Sequence, residues 1–237
     1  QMSNNYFRFK QFVVNQESCA FKVGTDGVLL GALAGVEGRK RVLDIGTGTG
    51  LIALMAAQRC DAGIVAIEPD HASFLQACRN IGESKWSKRI EVLNCRLQDY
   101  YPGEELFDLI VTNPPYFISS LKNPDHALSA ARHNDDLTHK DILEGSARLL
   151  DPNGELQLIL PWDEGNIFIA AAPGYGLYCN RIVKIRPTPA SEVRRLFLSF
   201  GRERKLISER FLTIEKGRRH DFTDDYIALT REFYLRF

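Results

Sequence analysis

Apolar and polar positions follow two periods along this chain. Short unbroken apolar runs, bounded by glycine, proline or acids, predict buried strands: Val42 to Ile45, Gly63 to Ile67, Ile90 to Asn94, Leu106 to Thr112 and Glu155 to Leu160. Longer stretches predict helices: Val28 to Leu33, Leu51 to Gln58, His71 to Ile81, Thr138 through Leu150 and Trp162 to Ala172. Their strict alternation predicts an α/β fold, a parallel sheet with helices on both faces. Ligands bind such sheets beyond the carboxyl ends of the strands. Leu177 to Ile185 and Glu192 to Phe200, joined by Arg186-Pro187-Thr188-Pro189, have no helix between them. They predict an antiparallel pair, with the last strand reversed.

The ends of the chain carry additions. Phe7, Phe9 and Phe12-Val13-Val14 predict a hairpin closing at Asn15 to Ser18. Thr25 or Asp26 is placed to cap the helix that follows, and Thr138 with Asp141 has capping-box spacing. Thr223-Asp224-Asp225-Tyr226 opens a terminal helix to about Arg236, with Tyr226, Leu229, Phe233 and Tyr234 on its packing side. A single domain over residues 1–237 follows, with an N-terminal addition of hairpin and helix (1–35) on a core (36–237).

Composition narrows the classes. At 237 residues and 44% hydrophobic, the chain supports one well-buried core. No apolar run reaches the length of a membrane span, and the start lacks the layout of a signal peptide. Five cysteines form no C-x-x-C pair and no Cys/His ligand spacing, so no metal site is expected. They read as reduced thiols, which points to the cytoplasm. Thirty basic and thirty acidic side chains give no global field to draw in a polyanion. A local patch is still available at Arg194, Arg195, Arg202, Arg204, Lys205, Arg218 and Arg219. The oligomeric state is left open, with a monomer slightly favoured.

The chemistry sits at strand ends. Gly46, Gly48 and Gly50 follow the first core strand at every second position, allowing a sharp turn and a ligand laid against bare backbone. Asp44, just before them, suits a cationic amino group or bound water better than a pyrophosphate, so a nicotinamide cofactor is disfavoured. Glu68 ends the next strand, placed to accept from both hydroxyls of a ribose. Asp99 follows the third strand, where a carboxylate can accept from an adenine amino group. Asn113-Pro114-Pro115-Tyr116 follows the fourth. The lone pair of an exocyclic amine on a planar group is delocalised, so that nitrogen attacks poorly until two acceptors take its hydrogens. The Asn113 side-chain oxygen and the Pro114 carbonyl provide them, Pro115 stiffens the loop and Tyr116 offers a stacking ring. The polar stretch from Phe117 to Leu137 reads as a lid, with Arg132 and His133 as substrate-contact candidates beside Arg194 and Arg195.

These motifs resemble class I S-adenosylmethionine-dependent methyltransferases with an N-P-P-Y signature, from about Phe21 to Leu198. The resemblance implies a Rossmann-like methyltransferase fold with a seven-stranded, mostly parallel sheet and an antiparallel last strand. It implies S-adenosyl-L-methionine as cofactor, with Asp44 at its methionine end, Glu68 on the ribose and Asp99 on the adenine. Lys22 and Thr25 are implied contacts to its methionine half. Phe-Lys-Val-Gly-Thr-Asp-Gly at 21–27, Ala131-Arg132-His133 and Thr230-Arg231-Glu232-Phe233-Tyr234-Leu235 further resemble the bacterial valine-tRNA adenine-N6 methyltransferases. The implied partner is then tRNA, and the implied target is the adenine beside the anticodon. Other N-P-P-Y branches keep a release-factor glutamine or an rRNA guanine open as acceptor. A non-catalytic cofactor-binding module is the alternative from another class.

Overall fold

The computed structural model describes residues 5–17, 19, 22–115 and 137–237. Eight strands form one sheet: β3 (Arg41–Ile45), β4 (Gly63–Ile67), β5 (Ile90–Leu93), β6 (Phe107–Thr112), β7 (Leu150–Pro161), β8 (Tyr178–Arg186), β9 (Arg195–Gly201) and β10 (Ser208–Thr213). Their order across the sheet is β10-β8-β9-β7-β6-β3-β4-β5. Only β9 runs against its neighbours, as predicted from the helix-free link before it.

The sequence reading expected seven strands, and β10 is the eighth. It extends the sheet parallel to β8. Only Leu212 in it is buried, the rest being polar or exposed, so it carries little apolar signal. A short charged strand is what a sheet edge accommodates. β7 also begins earlier than expected. Asp151 to Gly154 enter the strand as an irregularity, where the Asp151 carboxylate accepts from the Asn153 N–H at 2.9 Å and the register against β6 shifts.

Helices α1 (Thr25–Leu33), α2 (Leu51–Arg59), α3 (His71–Gly82), α4 (His139–Leu149), α5 (Trp162–Ala171) and α6 (Asp224–Thr230) cover the sheet. One core cluster joins α1 and α2 to the N-terminal hairpin, Tyr226 and Phe233; the other lies under α4 and α5. The Thr138–Asp141 capping box forms, with both reciprocal bonds present. Neither Thr25 nor Asp26 caps α1: Gly24 holds that position, and the two side chains stand in the first helical turn.

The hairpin, β1 (Tyr6–Arg8) with β2 (Val13–Asn15), closes earlier than predicted. Phe9 N–H donates to the Phe12 carbonyl at 2.9 Å, and the two rings stack with centroids 4.7 Å apart. Burying both phenylalanines inside the turn sets its place, and it leaves Asn15 paired with Tyr6 in the strand. The terminal helix stops at Thr230, whose hydroxyl donates back to the Tyr226 carbonyl at 2.7 Å. The chain beyond folds onto the hairpin, where Lys10 N–H donates to the Phe233 carbonyl.

Candidate active site

Two neighbouring strand ends build the site. β3 and β6 pair in parallel with Ile45 opposite Thr112, so the glycine turn and Asn113-Pro114-Pro115 leave the sheet side by side. The N–H groups of Gly46 and Thr47 donate to the Ile67 carbonyl at 2.9 and 3.1 Å, hanging the turn from the end of β4. Gly46 and Gly48 have φ of 67° and 56°, a region that disfavours side chains. A Cβ added at either would meet no atom within 4 Å, because both face open space.

That space is a cavity of about 600 Å³, a size suited to a cofactor. Lys22, Thr25, Gly46, Gly48 and Glu68 line it, with Asn113, Pro114 and Pro115 on the adjoining wall. Arg195, the sole member of the predicted basic patch in the lining, sits at its mouth with Nε 2.8 Å from the Asp26 carboxylate. Tyr116, Arg132 and His133 lie outside the described residues.

Asp44 is fully buried beneath the turn. Its Oδ2 accepts from the Thr47 hydroxyl at 2.6 Å and the Ala53 N–H at 3.1 Å. Its Oδ1 has no hydrogen-bond partner. Burial pushes this carboxyl up to about 7; the two donors pull the other way without cancelling it. Glu68 accepts from the N–H groups of Gly48 and Asp70 at 2.8 and 3.0 Å, and desolvation raises it as well. Asn113 is the third polar group of note: its Oδ1 is buried with no partner. A buried acceptor left unmade is costly; that of Asn113 lies on the cavity wall and points to a ligand that satisfies it, whereas Asp44 lies beneath the glycine turn, outside the lining.

Other candidates fall elsewhere. Gly50 is the N-cap of α2 and lies behind the cavity, where an added Cβ would come within 3.2 Å of Ile81. Asp99 lies outside the lining, exposed and bonded to Arg96 at 2.7 Å. The chain turns there, Asp99 N–H donating to the Arg96 carbonyl, and Cys95 to Gln98 occupy the cavity wall instead. Arg194 is exposed outside the lining. Sequence reasoning passed over Asp26, Thr47, Asp70, Ser73 and Gln98, all of which line the cavity. For Asp26 the sequence does carry a signal, its place beside Thr25 in a glycine-flanked segment, but its Arg195 partner lies 169 positions away.

The residues fit the cofactor expected from the motifs. The glycine cradle accepts a group against bare backbone, the free Asp44 oxygen suits an ammonium, and Glu68 suits a pair of hydroxyls. Among the described residues no cluster of three or more His, Cys, Asp or Glu side chains gathers as a metal site, and no helix is long and apolar enough to cross a membrane.

Comparisons with known proteins agree with this geometry. A family model described as the methyltransferase small domain matches residues 22–163. Proteins named tRNA1(Val) (adenine(37)-N6)-methyltransferase are similar over the full length: 46% identical in Bacteroides fragilis, covering 99% of this chain and 100% of that one, and 48% in Phocaeicola vulgatus, covering 99% of each. One from Trichodesmium erythraeum is 40% identical and covers 100% of both. Among solved structures, an Agrobacterium tumefaciens protein described as a predicted O-methyltransferase superposes with a TM-score of 0.68. It is 22% identical, covers 88% of this chain and 96% of that one, and speaks to the fold alone.

Proposed function

From a chain that belongs to the methyltransferase small-domain family, and to the branch whose members are named tRNA1(Val) (adenine(37)-N6)-methyltransferase, we propose an enzyme that methylates N6 of adenine 37 in valine tRNA. One observation carries this reading. The partnerless acceptor of Asn113 shares a cavity wall with the glycine turn, and register pairing of Ile45 with Thr112 holds the two at one level.

S-adenosylmethionine, the methyl donor of this fold class, supplies an electrophilic sulfonium methyl when bound. Around it this chain's residues bind and orient. Gly46 and Gly48 would give close backbone approach, the Glu68 carboxylate would take the ribose hydroxyls, and Asp44, beneath the turn, would act on the ammonium through a bridging water. Cys95 to Gln98, in the lining, would border its adenine.

Asn113 then acts on the acceptor. Its side-chain oxygen and the Pro114 carbonyl accept the two N6 hydrogens, drawing the nitrogen out of conjugation and fixing its direction. Positioning and preset dipoles do this work, and no general base is required. With the donor bound, that nitrogen would take its methyl group, and the surplus proton of the methylated amine would leave to water. An unpaired loop adenine spares the few kcal/mol, roughly, that extrusion from a duplex costs. Action on tRNA places the enzyme in the cytoplasm.

Incubating the protein with methyl-labelled donor and bulk tRNA or bulk protein, then digesting each pool, tests the assignment. Label in N6-methyladenosine is expected. Label confined to glutamine or to guanine would replace this reading by one of the other N-P-P-Y acceptors.

A further inference from the structure

The rim of the sheet beyond the cavity carries side chains that the methyl-transfer reading does not use. At the carboxyl end of β7, Trp162 N–H donates to the Arg194 carbonyl at 3.2 Å, and Arg194 N–H donates to the Ile185 carbonyl at 2.8 Å. One strand farther, the Arg186 guanidinium donates to the Thr213 hydroxyl at 2.9 Å. Trp162, Arg194, Arg186 and Thr213 therefore form one row across the ends of four adjacent strands, and Arg194 is the chain neighbour of Arg195, which lines the cavity. At the spacing of neighbouring strands the row spans roughly 15 Å.

Phe211 completes it. The ring stands opposite Lys184 in the β10–β8 register, 56% exposed, with the Arg186 guanidinium 5.4 Å and the Lys184 ammonium 5.8 Å from its centroid. Trp162, at the other end, is 39% exposed. A single exposed aromatic is ordinary. Two of them at the ends of an arginine row, beside a cavity that takes an RNA base, are not explained by packing. Of the acids nearby, Glu209 is already paired with Lys184, and the exposed carboxylates of Asp163 and Glu192 equal the two arginines in number, so the row offers guanidinium donors beside flat rings and no net positive field.

We propose that this rim is a docking ledge for the single-stranded RNA flanking the methylated adenine. Arg194 and Arg186 hold backbone phosphates, and Trp162 and Phe211 are platforms on which neighbouring bases stack. The inference rests on the tRNA reading above. The chemistry of the row selects RNA as the occupant, since guanidinium groups flanked by exposed flat rings offer the phosphate donors and base platforms that single-strand recognition uses. A span of roughly 15 Å accommodates about four stacked nucleotides at a rise of 3.4 Å each.

Anisotropy of a labelled anticodon stem-loop of the valine tRNA, with the full chain at two salt concentrations, tests the ledge. Trp162→Ala and Phe211→Ala should each weaken RNA binding about tenfold, the loss of one stacked base. Arg194→Ala, whose side chain makes no described contact, should flatten the slope of log Kd against log salt by about 0.7, one phosphate on a single strand. Affinity for S-adenosylmethionine and the melting temperature should stay at wild-type values. Lys88→Ala, exposed at the amino-terminal end of the sheet, should change none of these. Wild-type RNA affinity in all three rim variants, in a protein that methylates the RNA, would overturn the ledge and leave the activity standing. Label passing from the wild-type enzyme to a protein glutamine and not to RNA would overturn the activity and the ledge together.

Discussion

The Thr112 hydroxyl donates to the Ile45 carbonyl at 3.0 Å, and the same two residues are register partners between β6 and β3. A buried side chain thus bolts the end of the acceptor strand to the start of the glycine turn. Thr112→Val keeps the shape and removes the bond, which should cost about 1 kcal/mol of stability, read as a lower melting temperature. Because the bond sets how far Asn113 stands from the turn, kcat should fall more than the affinity for either ligand. An unchanged kcat would detach this contact from catalysis.

Asn113 separates binding from chemistry. Its buried oxygen has no partner among the described residues, so Asn113→Ala removes no described hydrogen bond of that atom and should leave folding and S-adenosylmethionine affinity close to wild type. Transfer should drop by a factor on the order of 100 to 1000, the usual loss when one preset polar group at a reacting centre is deleted. Calorimetric titration of the cofactor beside a single-turnover assay checks both halves. A large loss of cofactor affinity would move Asn113 from the acceptor to the cofactor.

How far the sequence exposed all this depends on where each signal was stored. Gly46, Gly48 and Asn113 to Pro115 lie in contiguous stretches at strand ends, so their place beside one cavity was legible in the sequence, whereas Gly50 behind it and Asp44 beneath it depend on how the turn folds. The reversed β9 was legible from a missing helix. β10 was not, because an edge strand with one buried residue has no period to detect. The turn of the hairpin depends on Phe9 and Phe12 packing against Trp86 and Tyr234, contacts made far along the chain. Asp99 drew attention as an acid after a strand, whereas a local turn and the pull of Arg96 place it outside the cavity. The rim row combines residues from four strands, and only the sheet order makes them neighbours.

Gly31 tests how closely the helix carrying Thr25 and Asp26 must lie to α2. A Cβ there would fall 2.5 Å from the Met55 sulfur and 3.0 Å from its Cβ. Gly31→Ala should destabilise the protein by about 1–3 kcal/mol through overpacking. Whatever part of the clash the Met55 side chain does not relieve by turning away pushes on α1, which carries Thr25 and Asp26 at the cavity wall, so cofactor binding should weaken as well. Thermal melts with and without S-adenosylmethionine measure the two effects. The double variant with Met55→Ala should recover most of both, and failure to do so would place the strain elsewhere.

Asp44 predicts a pH signature. Its carboxyl ionises near 3.8 in an unfolded chain and is pushed up to about 7 in the ligand-free fold, first by burial. Over that window the unfolded chain has lost the proton while the folded protein keeps it. The group's contribution to stability is therefore complete below the unfolded value and lost as pH rises through the folded one, by an amount on the order of 4 kcal/mol. Glu68, also raised by desolvation, acts in the same direction. Melting temperatures of the ligand-free protein should fall between pH 5 and pH 8, by less in Asp44→Asn. Ligand binding reverses the preference, since an ammonium beside Asp44 favours the ionised carboxylate. Titration with S-adenosylmethionine near pH 6 should therefore release about one proton, seen as a binding heat that varies with the ionisation enthalpy of the buffer, and Asp44→Asn should abolish it. Equal proton release in wild type and variant would assign the linked group to another site.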